Sequence, residues 1–359
     1  VFRGATIAGM ILVNTPGSWS HVYPPLLHAD WHGCTPTDLV FPFFVFIVGV
    51  SAWFSFGKFD HKLNPKAVRK IIKRTLIIFV IGLLLNFFPF VNKSLGELRI
   101  LGVLPRIALA YGFGTLLCLA IPNLRNLAIT AVAILLGYWA LLRFGVDSGY
   151  YDLESNLVRK IDLAVLGANH MWHGKGIPFD PEGLLSTLPA IVTVIMGYFT
   201  GRILKDTPSA SLALKRIVLG GVGAIILALI WNNWFPINKS LWTSSFVLYT
   251  GGIGMLVLAL LYWVIDVKKW RFWTFPFEVF GSNALFVYML SIIWVKVYFL
   301  IKITGSDGNQ RNAYNYIYSE WFKPVFGEMN GSLFFALAHI FVFWLILLWL
   351  YRKKIFIKV

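Results

Sequence analysis

The sequence predicts an all-α, polytopic membrane protein with about ten transmembrane helices. Of its 359 residues, 58% are hydrophobic and only 13% are charged, whereas a soluble globular chain carries about 25% charged residues. A helix needs about 20 apolar residues to cross roughly 30 Å of hydrocarbon, and ten such stretches follow one another. They leave no segment for a soluble domain, so residues 1–359 are predicted to form a single transmembrane domain.

The predicted spans run from the first residues of the chain to the last. The first is marginal, because the run Asn14-Thr15-Pro16-Gly17 interrupts its second half. Polar or broken helix ends are tolerated in a membrane only where they line protein or a cavity. The spans lie near 4–20, 36–57, 71–90, 101–121, 124–143, 184–204, 214–235, 243–265, 275–300 and 332–351.

Basic residues are concentrated at alternate ends of these spans, and such ends usually face the cytoplasm. Both termini are then cytoplasmic, and the loop with His28 and the long loops 144–183 and 301–331 face outward. This bias accounts for the net charge of +16, so the partner predicted is the lipid bilayer and no nucleic acid. The basic ends carry Arg3, Lys58, Lys62, Lys66, Arg69, Lys70, Lys73, Arg74, Arg125, Arg202, Lys205, Lys215, Arg216, Lys268, Lys269, Arg271, Arg352, Lys353, Lys354 and Lys358.

The run His28-Ala29-Asp30-Trp31-His32-Gly33-Cys34 places ionisable groups at the edge of an apolar segment. Membrane proteins seldom hold such groups there without a function. His28 and His32 have the i, i+4 spacing of helical metal ligands, but nearby prolines and Gly33 favour a loop, and no metal site is predicted. A histidine that titrates near neutral pH suits general-base catalysis, and a structural histidine fits the spacing equally well.

Other polar residues allow both a structural and a functional interpretation. Asp38 opens the second span, where it either stabilises the helix start or orients a histidine. Arg106 enters the fourth span, and its charge requires a partner or a water-filled cavity. Asn14 and Asn283 lie within spans, where they either bind neighbouring helices or line a site. Lys239 either reaches the membrane interface or holds a ligand.

Several motifs together resemble the transmembrane acetyltransferases related to heparan-α-glucosaminide N-acetyltransferase, in their short bacterial form. The stretch from His28 to Phe46 is the most specific, and the motifs occur in the order of the family. They are Phe2-Arg3-Gly4, Met10 to Asn14, His28 to Gly33, Asp38 to Phe46, Gly102 to Ile107, Asp180-Pro181-Glu182-Gly183, Asn238 to Trp242 and Gly281-Ser282-Asn283-Ala284.

The resemblance implies transfer of an acetyl group from cytosolic acetyl-CoA, the co-substrate, to an amino sugar across a bacterial inner membrane, and it is compatible with a homodimer. His28 then acts as general base, Asn14 donates to the developing oxyanion and Asp38 holds the His28 ring. The acetyl-CoA site is expected at Arg3, Arg74, Arg202, Ser282 and Asn283. The acceptor or thioester site is expected at Arg106, Asn238, Lys239, Trp242 and Glu182.

Two further functions stay open at this point. A sugar O-acyltransferase of the cell envelope has the same CoA path and differs only in its acceptor. A secondary transporter of sugars or amino sugars also fits ten spans with polar groups inside them, although the chain shows no clean internal repeat of the kind that many transporters have. The sequence also leaves open whether transfer is direct or passes through an acetyl-histidine.

Overall fold

The computed structural model describes residues 1–91, 94–305 and 308–357, and thus leaves out Lys358 of the basic set. Within these ranges the regular secondary structure is helical, apart from a short antiparallel hairpin of β1 (Lys302–Thr304) and β2 (Gln310–Asn312). The helices are α1 (Phe2–Asn14), α2 (Val40–Phe56), α3 (Pro65–Phe87), α4 (Val103–Ala120), α5 (Leu124–Phe144), α6 (Leu157–Leu166), α7 (Thr187–Asp206), α8 (Ala210–Trp231), α9 (Ser244–Tyr262), α10 (Phe275–Ser282), α11 (Ala284–Leu300), α12 (Ala313–Ile317), α13 (Lys323–Phe326) and α14 (Glu328–Arg352).

The all-α membrane fold class is confirmed. In the described ranges seven helical segments are long and apolar enough to cross a membrane alone, namely those built on α2, α4, α5, α7, α8, α9 and α14. The helices α10 and α11 qualify together as an eighth, broken span with an 80° bend between them. Eight of the ten predicted spans therefore have the length and composition of a membrane crossing.

The other two predicted spans, at α1 and α3, differ from the prediction for separate physical reasons. The helix α1 has 13 residues, which is about 20 Å at 1.5 Å per residue, and it stops at Asn14 short of a full bilayer. The helix α3 is long enough, but its last 18 residues begin with Lys70 and also contain Lys73 and Arg74.

The two ends of the bundle differ in chemistry, and contacts between loops define them. At one end, here the distal end, Gly33 N–H donates to Ile237 O at 2.7 Å and Trp31 Nε1 donates to Tyr151 O at 2.7 Å. At the other, the basic end, Leu63 N–H donates to Leu119 O at 3.2 Å. The loops predicted to share a side of the membrane are thus in contact with one another.

Small residues allow the central helices to approach closely. A Cβ atom on Gly49 of α2 would lie 2.0 Å from Val194 O of α7, and one on Gly197 of α7 would lie 2.0 Å from Phe46 O of α2. A Cβ on Gly4 of α1 would lie 1.8 Å from a backbone oxygen of α10. Since close packing replaces the hydrophobic effect as the force between helices in lipid, these glycines fix the position of α2 against α7 and of α1 against α10.

The break between α10 and α11 lies at Asn283, which binds the end of the described chain. Its amide donates to Ile355 O at 3.0 Å and its Oδ1 accepts from Ile357 N–H at 2.7 Å. The segment after α14 is therefore held across the basic end of the bundle, next to the start of α11.

Candidate active site

His28 and Asp38 form a hydrogen-bonded pair at the distal end. His28 Nδ1 lies 2.6 Å from Asp38 Oδ1. Because an ionised carboxylate only accepts hydrogen bonds, Nδ1 carries the proton in this contact and Nε2 keeps a lone pair. The His28 side chain is 46% exposed and that of Asp38 is 1% exposed, so the acid is fixed and the ring faces open space. This arrangement suits a general base whose tautomer is set by a buried carboxylate.

The local sequence explains why Asp38 is so well placed. It sits in the turn Pro36–Leu39 that precedes α2, and its Oδ2 accepts from Thr35 N–H at 3.1 Å and from the Thr35 hydroxyl at 3.1 Å. The same oxygen accepts from Ala29 N–H at 3.0 Å. One carboxylate therefore begins the helix and holds the loop that carries His28.

Lys239 reaches this pair from a different loop. Its Nζ lies 3.3 Å from Asp38 Oδ1 and 3.1 Å from His28 Nδ1. Because His28 Nδ1 carries a proton and cannot accept, Lys239 donates its hydrogen bond to Asp38. Gly33 makes the approach possible, because its φ of +105° is a conformation that favours glycine and its N–H joins the Lys239 loop through Ile237. The buried carboxylate is thus shared by a histidine and a lysine.

The pair faces a distal cavity of about 370 Å³. Asn14, at the end of the short helix α1, lines it, and among the described residues the Asn14 amide makes no hydrogen bond. An unengaged amide beside a general base can donate to an oxyanion. The cavity is also lined by Met10, Val13, Thr37, Val40, Phe41, Phe44, Arg99, Val103, Ile107, Trp172, Lys175, Glu182 and Tyr288.

Arg99 closes one wall of the distal cavity through a charge cluster. Its guanidinium donates to both oxygens of Asp180, at 2.8 and 2.7 Å, and to Glu182 Oε2 at 2.6 Å. Burial disfavours the charged form of Arg99, but hydrogen bonds and charges from Asp180 and Glu182 outweigh it and raise the pKa of Arg99. The second oxygen of Glu182 stays available to a polar or cationic ligand.

A second, basic cavity of about 290 Å³ opens near the other end of the bundle. Arg3, Arg74, Ser51 and Ser282 line it. Arg3 donates to Gly281 O, and the Arg74 guanidinium lies 4.8 Å from the ring centre of Tyr111. Neither arginine forms an ion pair with a carboxylate among the described residues, so the cavity has the electrostatics of an anion site.

The two cavities have two lining residues in common, Phe44 of α2 and Ile107 of α4. The same four regions, α1, α2, α4 and the α10–α11 pair, contribute side chains to both. The cavities therefore follow one another along a single path through the bundle.

Three residues expected at the acceptor lie behind the wall of the distal cavity. Arg106 is fully buried, donates to Gly183 O at 2.9 Å and Ser186 Oγ at 2.5 Å, and stands 5.2 Å from the ring centre of Trp242. Trp242 is 1% exposed. Asn238 is fully buried, and its Oδ1 accepts from Leu241 N–H at 2.8 Å. These side chains contact the loops on the side away from the cavity, whereas Lys239 and Glu182 line the cavity.

Two residues expected at acetyl-CoA lie outside the basic cavity. Arg202 lines a separate cavity at the basic end, beside Trp53 and His61, and its Nε is 3.5 Å from Asp206. Asn283 adjoins the basic cavity, but its side-chain amide is hydrogen-bonded to the backbone of Ile355 and Ile357. Arg3, Arg74 and Ser282 are the expected residues that the basic cavity brings together.

Four residues that line the distal cavity were not predicted from the sequence, namely Arg99, Trp172, Lys175 and Tyr288. The charge bias does not single out Arg99, because the loops predicted to face outward also contain other basic residues such as Arg159 and Lys175. The usable signal was its position just before the Gly102–Ile107 motif. For Tyr288, inside an apolar span, the sequence offers no signal that separates a cavity residue from a packed one.

Asp162 of α6 is a buried acid directly behind this site. Its Oδ1 accepts from Leu184 N–H at 2.8 Å, while its Oδ2 has no partner among the described residues. Burial raises the pKa of Asp162 to about 7. A Cβ on Gly183 would lie 1.8 Å from Asp162 Oδ2, so the carboxyl presses against the turn that carries Glu182.

Metal ligands are not grouped in this site. Among the described residues no set of three or more His, Cys, Asp or Glu side chains is arranged to hold an ion. Since His28 Nδ1 is engaged by Asp38, and Lys239 stands beside the pair, the local charge also opposes a cation at this nitrogen.

Comparison with known proteins agrees with the motifs. The family described as heparan-alpha-glucosaminide N-acetyltransferase, catalytic, matches residues 1–229. The Mus musculus heparan-alpha-glucosaminide N-acetyltransferase is 30% identical, with 80% of this chain and 52% of the relative aligned. The Homo sapiens protein of the same name is 28% identical, with 100% of this chain and 59% of the relative aligned.

The chain thus spans between half and three fifths of the length of these two relatives. The matched residues 1–229 contain Asn14, His28, Asp38 and Arg74. The family match, the apolar helices and the cavity with its histidine–aspartate pair agree with one another. The chain is a multi-pass membrane protein that belongs to the heparan-alpha-glucosaminide N-acetyltransferase family, through the catalytic region of that family.

Proposed function

We propose that this chain is a membrane-embedded acetyltransferase that moves the acetyl group of acetyl-CoA to the amine of a glucosamine-type sugar at the distal end. The observation that carries the proposal is the pairing of two cavities on one path. One contains the His28–Asp38 pair, and the other contains Arg3 and Arg74 without carboxylate partners among the described residues.

The donor enters from the basic end in this proposal. Arg3 and Arg74 bind the phosphates, because guanidinium groups without carboxylate partners bind phosphate through strong, charge-assisted hydrogen bonds. The hydroxyl groups of Ser51 and Ser282 line the same wall, and that of Ser282 donates to Val279 O at 2.7 Å and so offers the ligand an acceptor. From Arg3 to Asn14 the helix α1 rises about 16 Å at 1.5 Å per residue, a distance suited to the thin pantetheine arm. The thioester then lies beside Asn14 and His28.

Transfer then needs one proton acceptor and one oxyanion donor. His28 Nε2 takes a proton from the sugar ammonium, and the free amine attacks the thioester carbon. The Asn14 amide donates to the oxyanion that forms, a contact worth about 3–4 kcal/mol in other enzymes. The intermediate collapses with cleavage of the carbon–sulfur bond. The former amine nitrogen releases its second proton to water in the distal cavity, and His28 returns its own proton to the departing CoA sulfur, so that one proton is released in each turnover.

The acceptor amine has one acidic partner in the distal cavity that a hydroxyl would not need. Glu182 keeps one oxygen free at the cavity wall, and an ammonium group is the ligand that such an oxygen attracts. Trp172 offers an aromatic surface for a sugar ring. The setting proposed is a bacterial inner membrane, with both termini in the cytoplasm and the distal end facing the periplasm.

The direct test is acetyl transfer by the purified full chain in detergent, with labelled acetyl-CoA and glucosamine. Labelled N-acetylglucosamine supports the proposal. Label that stays on the protein without acceptor would replace direct transfer by an acetyl-histidine route. Thermal stabilisation by CoA without product would keep the donor and overturn the acceptor, which points to the O-acyltransferase. If no product forms and CoA does not stabilise the protein, the transporter is favoured.

A further inference from the structure

The two cavities adjoin at one level of the bundle. Phe44 and Ile107 line both cavities, and among the described residues no other side chain is common to the two. Ile107 is 5% exposed, and Phe44 packs against two apolar core clusters. Two apolar side chains from facing helices therefore stand where the cavities adjoin.

Helical spacing shows that the cavities are two parts of one passage. On α2, Phe41 lines the distal cavity, Phe44 lines both, and Val48 lines the basic cavity. These positions are i, i+3 and i+7, which lie on one face of a helix. On α4, Val103, Ile107 and Tyr111 repeat the pattern at i, i+4 and i+8, so two continuous helix faces meet with the shared pair in the middle.

Polar groups approach this level from both sides. Asn14, His28 and Glu182 line the distal cavity, whereas Arg3 and Arg74 line the basic one. Without the shared pair, water would connect the two ends of the bundle through a polar channel. A narrow apolar constriction prevents this by excluding water.

We propose that Phe44 and Ile107 form the permeability barrier of this protein, a hydrophobic partition that keeps the two aqueous compartments separate when no ligand fills the passage. The barrier function rests on the geometry of the cavities alone. In addition, and resting on the proposed function, the pantetheine arm of CoA displaces the Phe44 ring, occupies the gap and so maintains the seal during turnover.

The test uses the full chain in liposomes with a pH-sensitive dye inside, after a step in external pH and without CoA. The variants are Phe44→Ala and the double variant with Ile107→Ala. We expect wild type to match empty liposomes closely, and the double variant to leak protons severalfold faster. Phe43→Ala is the matched control, because Phe43 is the next ring on α2 and lines neither cavity.

A leak in the double variant equal to that of wild type overturns the barrier, provided that the variant elutes as a folded protein. An equal leak in Phe43→Ala also overturns it. If the double variant does not fold, Phe44→Ser provides the same readout with a single change. CoA added in excess is expected to slow the leak of the variants. A leak that CoA leaves unchanged keeps the barrier and contradicts the donor path, so the two ideas fail separately.

Discussion

The distal and basic cavities differ in how their charges are satisfied. At the distal cavity Asp38 is shared by His28 and Lys239, and Arg99 binds Asp180 and Glu182. At the basic cavity, Arg3 and Arg74 face the same space with no carboxylate partner among the described residues. Paired charges fix the positions of side chains, whereas unpaired cations attract an anionic ligand. The difference supports the proposal that the distal cavity holds the reacting groups and the basic cavity binds the donor.

The largest expected effect comes from removing the base of the distal region. The variant His28→Ala should lower the rate of acetyl transfer by about 10²- to 10⁴-fold, the range for general-base catalysis. CoA binding, measured by thermal stabilisation, should stay unchanged because the basic cavity is untouched. His32→Ala is the control, since His32 lies in the same loop but does not line the cavity. Equal losses in both variants would contradict the role of His28.

The next effect concerns the oxyanion donor. The variant Asn14→Ala should lower kcat by about 10²- to 10³-fold with little change in KM, because the amide acts only when the oxyanion develops. Steady-state kinetics with varied acceptor separates the two constants. Thr15→Val is the control, because the Thr15 hydroxyl is engaged by Ile11 O at 2.6 Å. A rise in KM alone would mean that Asn14 binds ground-state substrate instead.

A smaller effect is expected at the basic cavity. The variant Arg74→Ala should weaken CoA binding by about ten- to a hundredfold, since a hydrogen bond to a charged group is worth roughly 1.5–3 kcal/mol. Calorimetric titration with CoA measures it. Arg202→Ala removes the same charge at the same end of the bundle but from another cavity, and should bind CoA like wild type. If the two variants exchange these results, the phosphates lie elsewhere.

The smallest effect is on stability and comes from Asp162. Burial raises the pKa of Asp162 to about 7, while an unfolded aspartate has a pKa near 3.9. Between these values the folded state binds more protons, so the free energy of unfolding falls as pH rises and levels off above about pH 7. The wild-type Tm should therefore drop from pH 5 to pH 8. Asp162→Asn, which keeps the acceptor for Leu184 N–H, should flatten that slope, and an unchanged slope would assign it to another group.

The features that the sequence predicts well are local or compositional. The fold class follows from the apolar content, and the contact between His28 and Asp38 spans ten residues of a single loop and helix start. Arg3 and Arg74 were expected together because both lie at basic ends. That expectation also included Arg202, because it too lies at a basic end. The sequence does not show which side of the bundle its helix occupies.

The features that the sequence predicts poorly depend on helix rotation and on distant pairing. The helix α4 is apolar on every side, so no periodicity tells whether Arg106 faces the cavity or the packed loops. Arg99 meets Asp180 across 81 positions of sequence. The span count fell short at α1 because 13 residues end at Asn14 inside the bundle, and that early end is what brings a polar group to the cavity.

The most direct test of the two-region account is a sided reaction in proteoliposomes. Glucosamine is trapped in the lumen and acetyl-CoA is supplied only outside, so that donor and acceptor never share a compartment. The account predicts that N-acetylglucosamine accumulates in the lumen with wild type and not with His28→Ala. Product that forms only when both substrates are on the same side would contradict entry of the substrates from opposite ends of one passage. It would also contradict the separate roles of the two cavities in binding donor and acceptor.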